Sequence, residues 1–346
     1  MKTASERPSV RARTLASISL TWVILSCQFA IGSFAAERPL RFAYSAVDAS
    51  FLPAWVAKDA RLFDKYNLAL ELISVRSSPL CISAHMADEI DVCAGATSPV
   101  IAANLQGQRN LVLFGTMNKK AGFWIYAKPA FANLAQLRGK RFGVTRFGGA
   151  LDFVSRYMLQ QAGLDPAKDL TLFQIGATPD IVLALAADSI DAGTLSLPSN
   201  LKANDLGFRE LADFTESKQN YPSTALSAKR QFLIENKPRT ENFIRALIES
   251  LYYIRTHRAE ALKILSKYTK VTDPKLLALA YDFHVEKIWP KTPEISGDDL
   301  KLFLEQIGQT NPKALAVDAS TLIYAPTVKE VVDSKFAERL YGTGQK

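Results

Sequence analysis

The residues best suited to hold a small molecule fall in four short stretches, and their chemistry is that of binding rather than bond-making. Ser45, Asp48, Ser50 and Phe51 share the first, with hydroxyls and a carboxylate for hydrogen bonds and a ring to pack on a solute. Gly95, Ala96, Thr97 and Ser98 form the second, ahead of Pro99. Small side chains there let a ligand approach the backbone, and a helix starting at that point would turn its free N–H groups toward an anion. The third runs Thr145, Arg146, Phe147, Gly148, Gly149, Ala150, where a guanidinium can grip an acidic group two-pronged beside a glycine pair. Ser196, Leu197 and Pro198, with Asn200 nearby, form the fourth, and Ser77, Ser78, Phe123 and Tyr221 are further candidates. Each has a plainer reading: a polar loop capping a helix, a solvated surface arginine, or, for Phe51, Phe147 and Phe153, aromatic core.

Catalytic and metal-binding signatures are missing. His85, His257 and His284 are far apart and in no metal-like spacing with Cys81 or Cys93. There is no P-loop, HExxH, GxSxG or dinucleotide glycine fingerprint. No metal, cofactor or catalytic residue is expected. Cys81 falls in a helix-like stretch and Cys93 in an apolar strand, so a disulfide formed in an oxidising compartment and two separately buried thiols both remain open.

The elements that would position the four loops alternate. Strand-like runs at 40–44, 68–75, 90–94 and 111–115 are separated by helix-like runs at 51–63, 80–87 and 99–106. A further apolar strand spans 122–128, ending at Pro129, and the alternation restarts: strands at 141–145, 170–175, 191–195 and 208–211, helices at 134–137, 151–161 and from the Thr178-Pro179 cap pair to 187. A strand at 224–228 precedes a nearly all-helical block, 231–309, that can cover the first lobe. Strands alternating with helices predict an α/β fold of two doubly wound, mostly parallel sheets. The second lobe, residues 129–222, reads as an insertion in a discontinuous first lobe of 37–128 plus 223–346, with the ligand cleft between them and two crossover strands as the hinge. No internal repeat at a period of 20 to 50 residues stands out.

With 346 residues, 48% hydrophobic and 22% charged, the chain can fill two cores. The formal net charge of +8 includes +3 from Lys2, Arg7, Arg11 and Arg13 against Glu6, and the remaining basic residues are scattered, which argues against nucleic-acid binding and allows a mild preference for anions. Arg7, Arg11 and Arg13 precede an apolar stretch at 15–31 and then Ser33-Phe34-Ala35-Ala36, the layout of a secretory signal over residues 1–35. Ser17, Ser19, Thr21, Ser26 and Gln28 interrupt that stretch, which weakens a transmembrane reading. The mature chain is then expected in the periplasm or otherwise outside the cytoplasmic membrane, with lipidation at Cys27 as the lesser alternative.

The mature chain resembles the substrate-binding components of ATP-driven (ABC) importers, in the sulfonate-, taurine- and nitrate-binding group of type II periplasmic binding proteins. The resemblance rests on Ala60-Arg61-Leu62-Phe63, on Ala87-Asp88-Glu89-Ile90-Asp91-Val92 leading to Gly95-Ala96-Thr97-Ser98-Pro99, and on LAQLRGKRFGV at 134–144. Gln161-Ala162-Gly163-Leu164-Asp165, the stretch 184–192 leading to Leu197-Pro198, and 232–238 before a long helix continue it. It implies a monomeric protein that captures a small organic solute and passes it to an ABC permease and its ATPase, and it leaves the solute open. Family members often carry glycine where this chain has Asp88-Glu89 and Asp188-Ser189, so local turns are expected to differ. The same fold serves thiamine-pyrimidine synthases, but the lysine-bound cofactor and cysteine/histidine iron cluster which that resemblance implies have no counterpart in this sequence. A sensory binding protein facing a membrane receptor is the remaining alternative.

Overall fold

A computed structural model describes residues 38–75, 77–217 and 220–342. The proposed signal over 1–35 and Cys27 lie outside them.

Among the described residues, ten strands form two five-stranded sheets of the same plan. The first contains β1 (Leu40–Tyr44), β2 (Leu70–Ser74), β3 (Val92–Gly95), β4 (Leu111–Asn118) and β10 (Thr224–Lys229), in the order β2-β1-β3-β10-β4. The second contains β5 (Phe123–Ala127), β6 (Lys140–Val144), β7 (Leu170–Gln174), β8 (Ala192–Ser196) and β9 (Arg209–Asp213), in the order β7-β6-β8-β5-β9. In each, a parallel trio is flanked by one antiparallel strand: β10 runs against β3 and β4, and β5 runs against β8 and β9. The fold is therefore the expected two-lobed α/β architecture with mostly parallel sheets.

The strand Phe123–Ala127, which the sequence suggests ends the first lobe, is hydrogen-bonded into the second sheet, with Phe123 opposite Ser196 and Ala127 opposite Ala192. All five of its residues are buried, so its hydrophobic run looks the same whichever sheet it joins. The chain consequently crosses between sheets at 119–122, before this strand, and returns before β10. The two crossings run together: Tyr221 N–H donates to Lys119 O at 2.9 Å, and Asn118 Nδ2 donates to Thr224 Oγ1 at 3.0 Å.

The two sheets also match residue by residue at a spacing of one hundred. Strands 40–44 and 140–144, strands 70–74 and 170–174, and helices Ser78–Met86 and Thr178–Ala186 correspond. Asp88 and Asp188 end the paired helices at φ +56° and +59°, so the turns that glycine often makes are kept, with aspartate tolerating the left-handed conformation. A period of one hundred is longer than the 20 to 50 residues of common repeat units.

The C-terminal helices do more than cover one sheet. Phe243, in the helix Lys237–Thr256, packs edge-on against Phe42 at 4.8 Å and stacks on Phe63 at 5.7 Å in the first core. Phe303, in the helix Lys301–Gly308, stacks on Phe153 at 5.0 Å and Tyr221 at 4.3 Å, and Gln306 Nε2 donates to Phe153 O. That second contact ties the block to the helix Ala150–Gln161 of the other half. Phe153 and Tyr221 are thus core residues, not lining. Sequence-predicted long helices are broken where the backbone departs from αR: at Arg61, in the left-handed region, and at Asn236.

Candidate functional site

Loops after the parallel strands of both sheets converge on one cavity of about 450 Å³. Ligands in doubly wound sheets sit at this place, outside the carboxyl ends of the strands. From the first half come Ser45, Ala46, Val47, Asp48, Ser50, Phe51, Ser77, Ser78 and Ala96; from the second, Thr145, Arg146, Gly149, Ala150, Leu151, Gly176, Ala177, Thr178 and Asp180; from the crossings, Phe123, Ser223 and Thr224. Six positions line it in both halves: 45 and 145, 46 and 146, 50 and 150, 51 and 151, 77 and 177, 78 and 178.

Besides Leu52–Asp59, which continues the 3-10 turn Ala49–Phe51, four described helices of eight residues or more start at this cavity. Their N-caps are Ser77, Ala96, Gly149 and Ala177, and each lines it. Their first-turn N–H groups have no intrahelical acceptors, so the walls are rich in donors and carry the positive ends of helix dipoles. Gly149 is tightly set: a Cβ there would lie 3.2 Å from Arg146 O.

Ser78 knits the first half. Its Oγ donates to Ser45 Oγ at 2.9 Å and accepts from Ala96 N–H at 2.8 Å, so one hydroxyl fixes three ligand-side loops. One turn further along the same helix, Cys81 is disulfide-bonded to Cys93 of β3, with Cα atoms 6.2 Å apart. The pairing left open by the sequence is therefore made, and separately buried thiols are excluded. In the second half Thr178 is the first helical residue rather than the cap, and its Oγ1 accepts from Ser199 Oγ.

The charged groups are few. Asp48 Oδ1 accepts the Ser50 N–H at 2.8 Å, and burial raises the carboxyl above its usual range against that hydrogen bond. Asp180 Oδ2 accepts the Ala177 N–H. Arg146 makes no ion pair among the described residues. No group of three or more His, Cys, Asp or Glu among the described residues is placed to hold a metal.

Of the sequence candidates, Ser45, Asp48, Ser50, Phe51, Ser77, Ser78, Ala96, Phe123, Thr145, Arg146, Gly149 and Ala150 line the cavity, whereas Gly95, Thr97, Ser98, Phe147, Gly148, Ser196, Leu197, Pro198, Asn200 and Tyr221 do not. Gly95 lies behind it, where a Cβ would press on Ser78 Oγ and Ser45 Oγ. Thr97 spends its hydroxyl on Pro222 O, and Ser98 is buried with an unpartnered Oγ. Ser196 is likewise buried, and Leu197 joins the core. Phe147 is 46% exposed and turned outward. Gly148, at φ +75°, gives its N–H to Asp152, and a Cβ there would lie 3.7 Å from Pro79 of the other half. Sequence reasoning missed Thr178, Ser223 and Thr224 as lining residues; the one-hundred-residue correspondence with Ser78 points to the first.

A second, shallower groove of about 510 Å³ lies on the outside, lined by Pro39, Tyr44, Lys58, Leu70, Glu71, Leu72 and Tyr268. It draws only on the first sheet and its covering helices.

The chain belongs to the NMT1-like family, matched over residues 37–268. YtlA of Bacillus subtilis (strain 168), assigned as a binding protein, is 23% identical over 214 residues, which cover 61% of this chain and 64% of that protein. Among solved structures, a protein of Bordetella bronchiseptica RB50 is similar with a TM-score of 0.77 at 19% identity, covering 86% of this chain and 98% of that one. The periplasmic aliphatic sulphonate binding protein SsuA from Escherichia coli gives a TM-score of 0.68 at 20% identity, covering 84% and 93%. At such identities the structural likeness shows the fold alone, that of a periplasmic binding protein.

Proposed function

We propose that the protein is the extracytoplasmic solute-binding component of an ABC-type importer. It takes a small organic solute, sulfonate- or aromatic-acid-like, into the cavity and delivers it to a membrane permease driven by an ATPase. One observation carries this reading: corresponding loops of two duplicated halves line a single cavity of about 450 Å³, a size suited to a small molecule. The N-terminal ends of four helices and Arg146, without an ion pair among the described residues, favour an anionic group there. The family membership, the binding protein YtlA and the sulphonate-binding SsuA support the same role. The lobes divide at the two crossings, 119–122 and the segment before β10, and bending there opens and closes the cavity. Export through the signal over 1–35 places the protein where such a component works, and no helix among the described residues is long and apolar enough to cross a membrane. The lining holds no lysine, cysteine or histidine, the residues that the synthase-like enzymatic alternative would need.

A thermal-shift screen against sulfonates, aromatic acids, pyrimidines and nitrate tests the proposal. A true ligand at one hundred times its Kd adds about 2.7 kcal/mol of stability. Absence of any stabilising solute across these and a wider set of small metabolites would contradict it.

A further inference from the structure

Asp48 and Arg146 line the same cavity from opposite halves, carry opposite charge, and are not ion-paired with each other or with any other described side chain. Neither charge recurs at the corresponding position of the other half, although Asp48 also caps the turn that follows it through the Ser50 N–H. Position 146 is arginine where position 46 is alanine, and position 48 is aspartate where position 148 is glycine; the first loop enters its helix through the 3-10 turn Ala49–Phe51, the second directly at Ala150 with Gly148 at φ +75°. Hydrogen-bonding capacity is divided unevenly as well. Ser50 and Ser77 on the first half correspond to Ala150 and Ala177 on the second, so hydroxyls concentrate beside Asp48 while the cation stands opposite. Phe51, Phe123 and Leu151 supply the apolar lining. The remaining lining charge, Asp180, accepts the Ala177 N–H as Asp48 accepts the Ser50 N–H, but it stands on the same half as Arg146.

An unpaired carboxylate and an unpaired guanidinium both become costly once a closing cavity sheds water, and a ligand bearing both counter-groups removes both costs. We infer that the solute is two-ended, with an acidic group against Arg146, a hydrogen-bond donor such as an amine or hydroxyl against Asp48 and the serines, and an apolar span between. This inference rests on the solute-binding reading and narrows its substrate class.

Calorimetry on the purified protein with matched probes tests it: 4-aminobenzoate against benzoate and aniline, and 3-aminopropanesulfonate against propanesulfonate and propylamine. In at least one series the two-ended probe should bind about tenfold or more tighter than each one-ended relative, as expected for hydrogen bonds to charged groups. Asp48→Asn keeps a helix-capping acceptor and should erase the advantage over the simple acid alone. Arg146→Gln should erase the advantage over the amine alone. A simple acid binding as tightly as its two-ended partner would overturn the inference while leaving the solute-binding reading intact. Asp48→Asn tightening every acid equally would overturn it too, since Asp48 would then act only as a repelling charge. Failure of all six probes would also reject it, and the broader thermal-shift screen would then decide the solute-binding reading separately.

Discussion

Arg141 and Asp191 meet in a two-pronged contact, with Nη2 to Oδ1 and Nε to Oδ2 both at 3.0 Å, while the Arg141 N–H also donates to Oδ2. Arg41 and Asp91 repeat the arrangement in the first sheet, Nη2 to Oδ1 at 2.9 Å and the backbone N–H to Oδ2 at 2.9 Å. Each pair ties the start of a central strand to the turn before its neighbour, and so fixes how the loops at the far ends of those strands are presented. Arg141, first, and then Lys128 hold the Asp191 carboxyl well below the usual carboxylate range.

Asp191→Ala should therefore cost about 1–3 kcal/mol, because it strands a backbone N–H and two cations at a mostly buried carboxylate. Asp333→Ala, which removes the exposed Lys329–Asp333 pair, should cost under about 0.5 kcal/mol. Urea unfolding of both variants checks the ranking; equal losses would remove the structural role assigned to Asp191.

Asp88 stands in the left-handed region while pairing with Lys229 across the sheet. The pair is exposed on the Asp88 side and contributes little, whereas left-handed backbone costs a side chain roughly 1–2 kcal/mol. Asp88→Gly should be neutral or stabilising, and Asp88→Val destabilising by about 1–2 kcal/mol. Thermal melts of the two variants read the difference directly.

His85 and His284 are buried and uncharged, and burial pulls each imidazole down to about 4. His284 Nδ1 donates to Ala280 O, whereas His85 Nε2 sits 3.2 Å from Ser227 Oγ. Because the folded state resists protonation more than the unfolded chain, this stability is complete above pH about 6.5 and is lost as pH falls toward about 4. The full loss is on the order of 3 kcal/mol for each imidazole. A His284→Gln variant should show a shallower fall in stability over that window than the parent protein, and an unchanged slope would contradict the assignment.

The Cys81–Cys93 bond closes a short loop between a helix and a strand that both lead to the cavity. Replacing both cysteines by serine should lower stability by roughly 2–4 kcal/mol. Denaturant unfolding of the double variant, compared with the oxidised protein, measures it.

The sequence reveals the positions of the strands and the loops after them, because hydrophobic runs punctuated by glycine, proline and hydroxyl residues mark both. Ser45, Ser50 and Gly149 could be found on that ground alone. The membership of Phe123–Ala127 in the second sheet could not, since a strand buried on both faces carries no mark of its partner. The disulfide depends on a Cα separation set by tertiary packing. The duplication is diluted to a few identities, among them Arg41 with Arg141, Pro79 with Pro179, Asp88 with Asp188 and Asp91 with Asp191. Phe51 and Phe147 look alike as aromatic candidates, and only backbone direction sends the first into the cavity and the second to solvent.

A crystal structure of the protein with the strongest solute from the thermal-shift screen tests the central claim most directly. The account predicts one solute enclosed between the two sheets, touching Ser45 or Ser78 on one side and Arg146 or Thr178 on the other. A solute seated instead in the outer groove by Lys58 and Tyr268, with the cavity between the sheets filled by water alone, would contradict it.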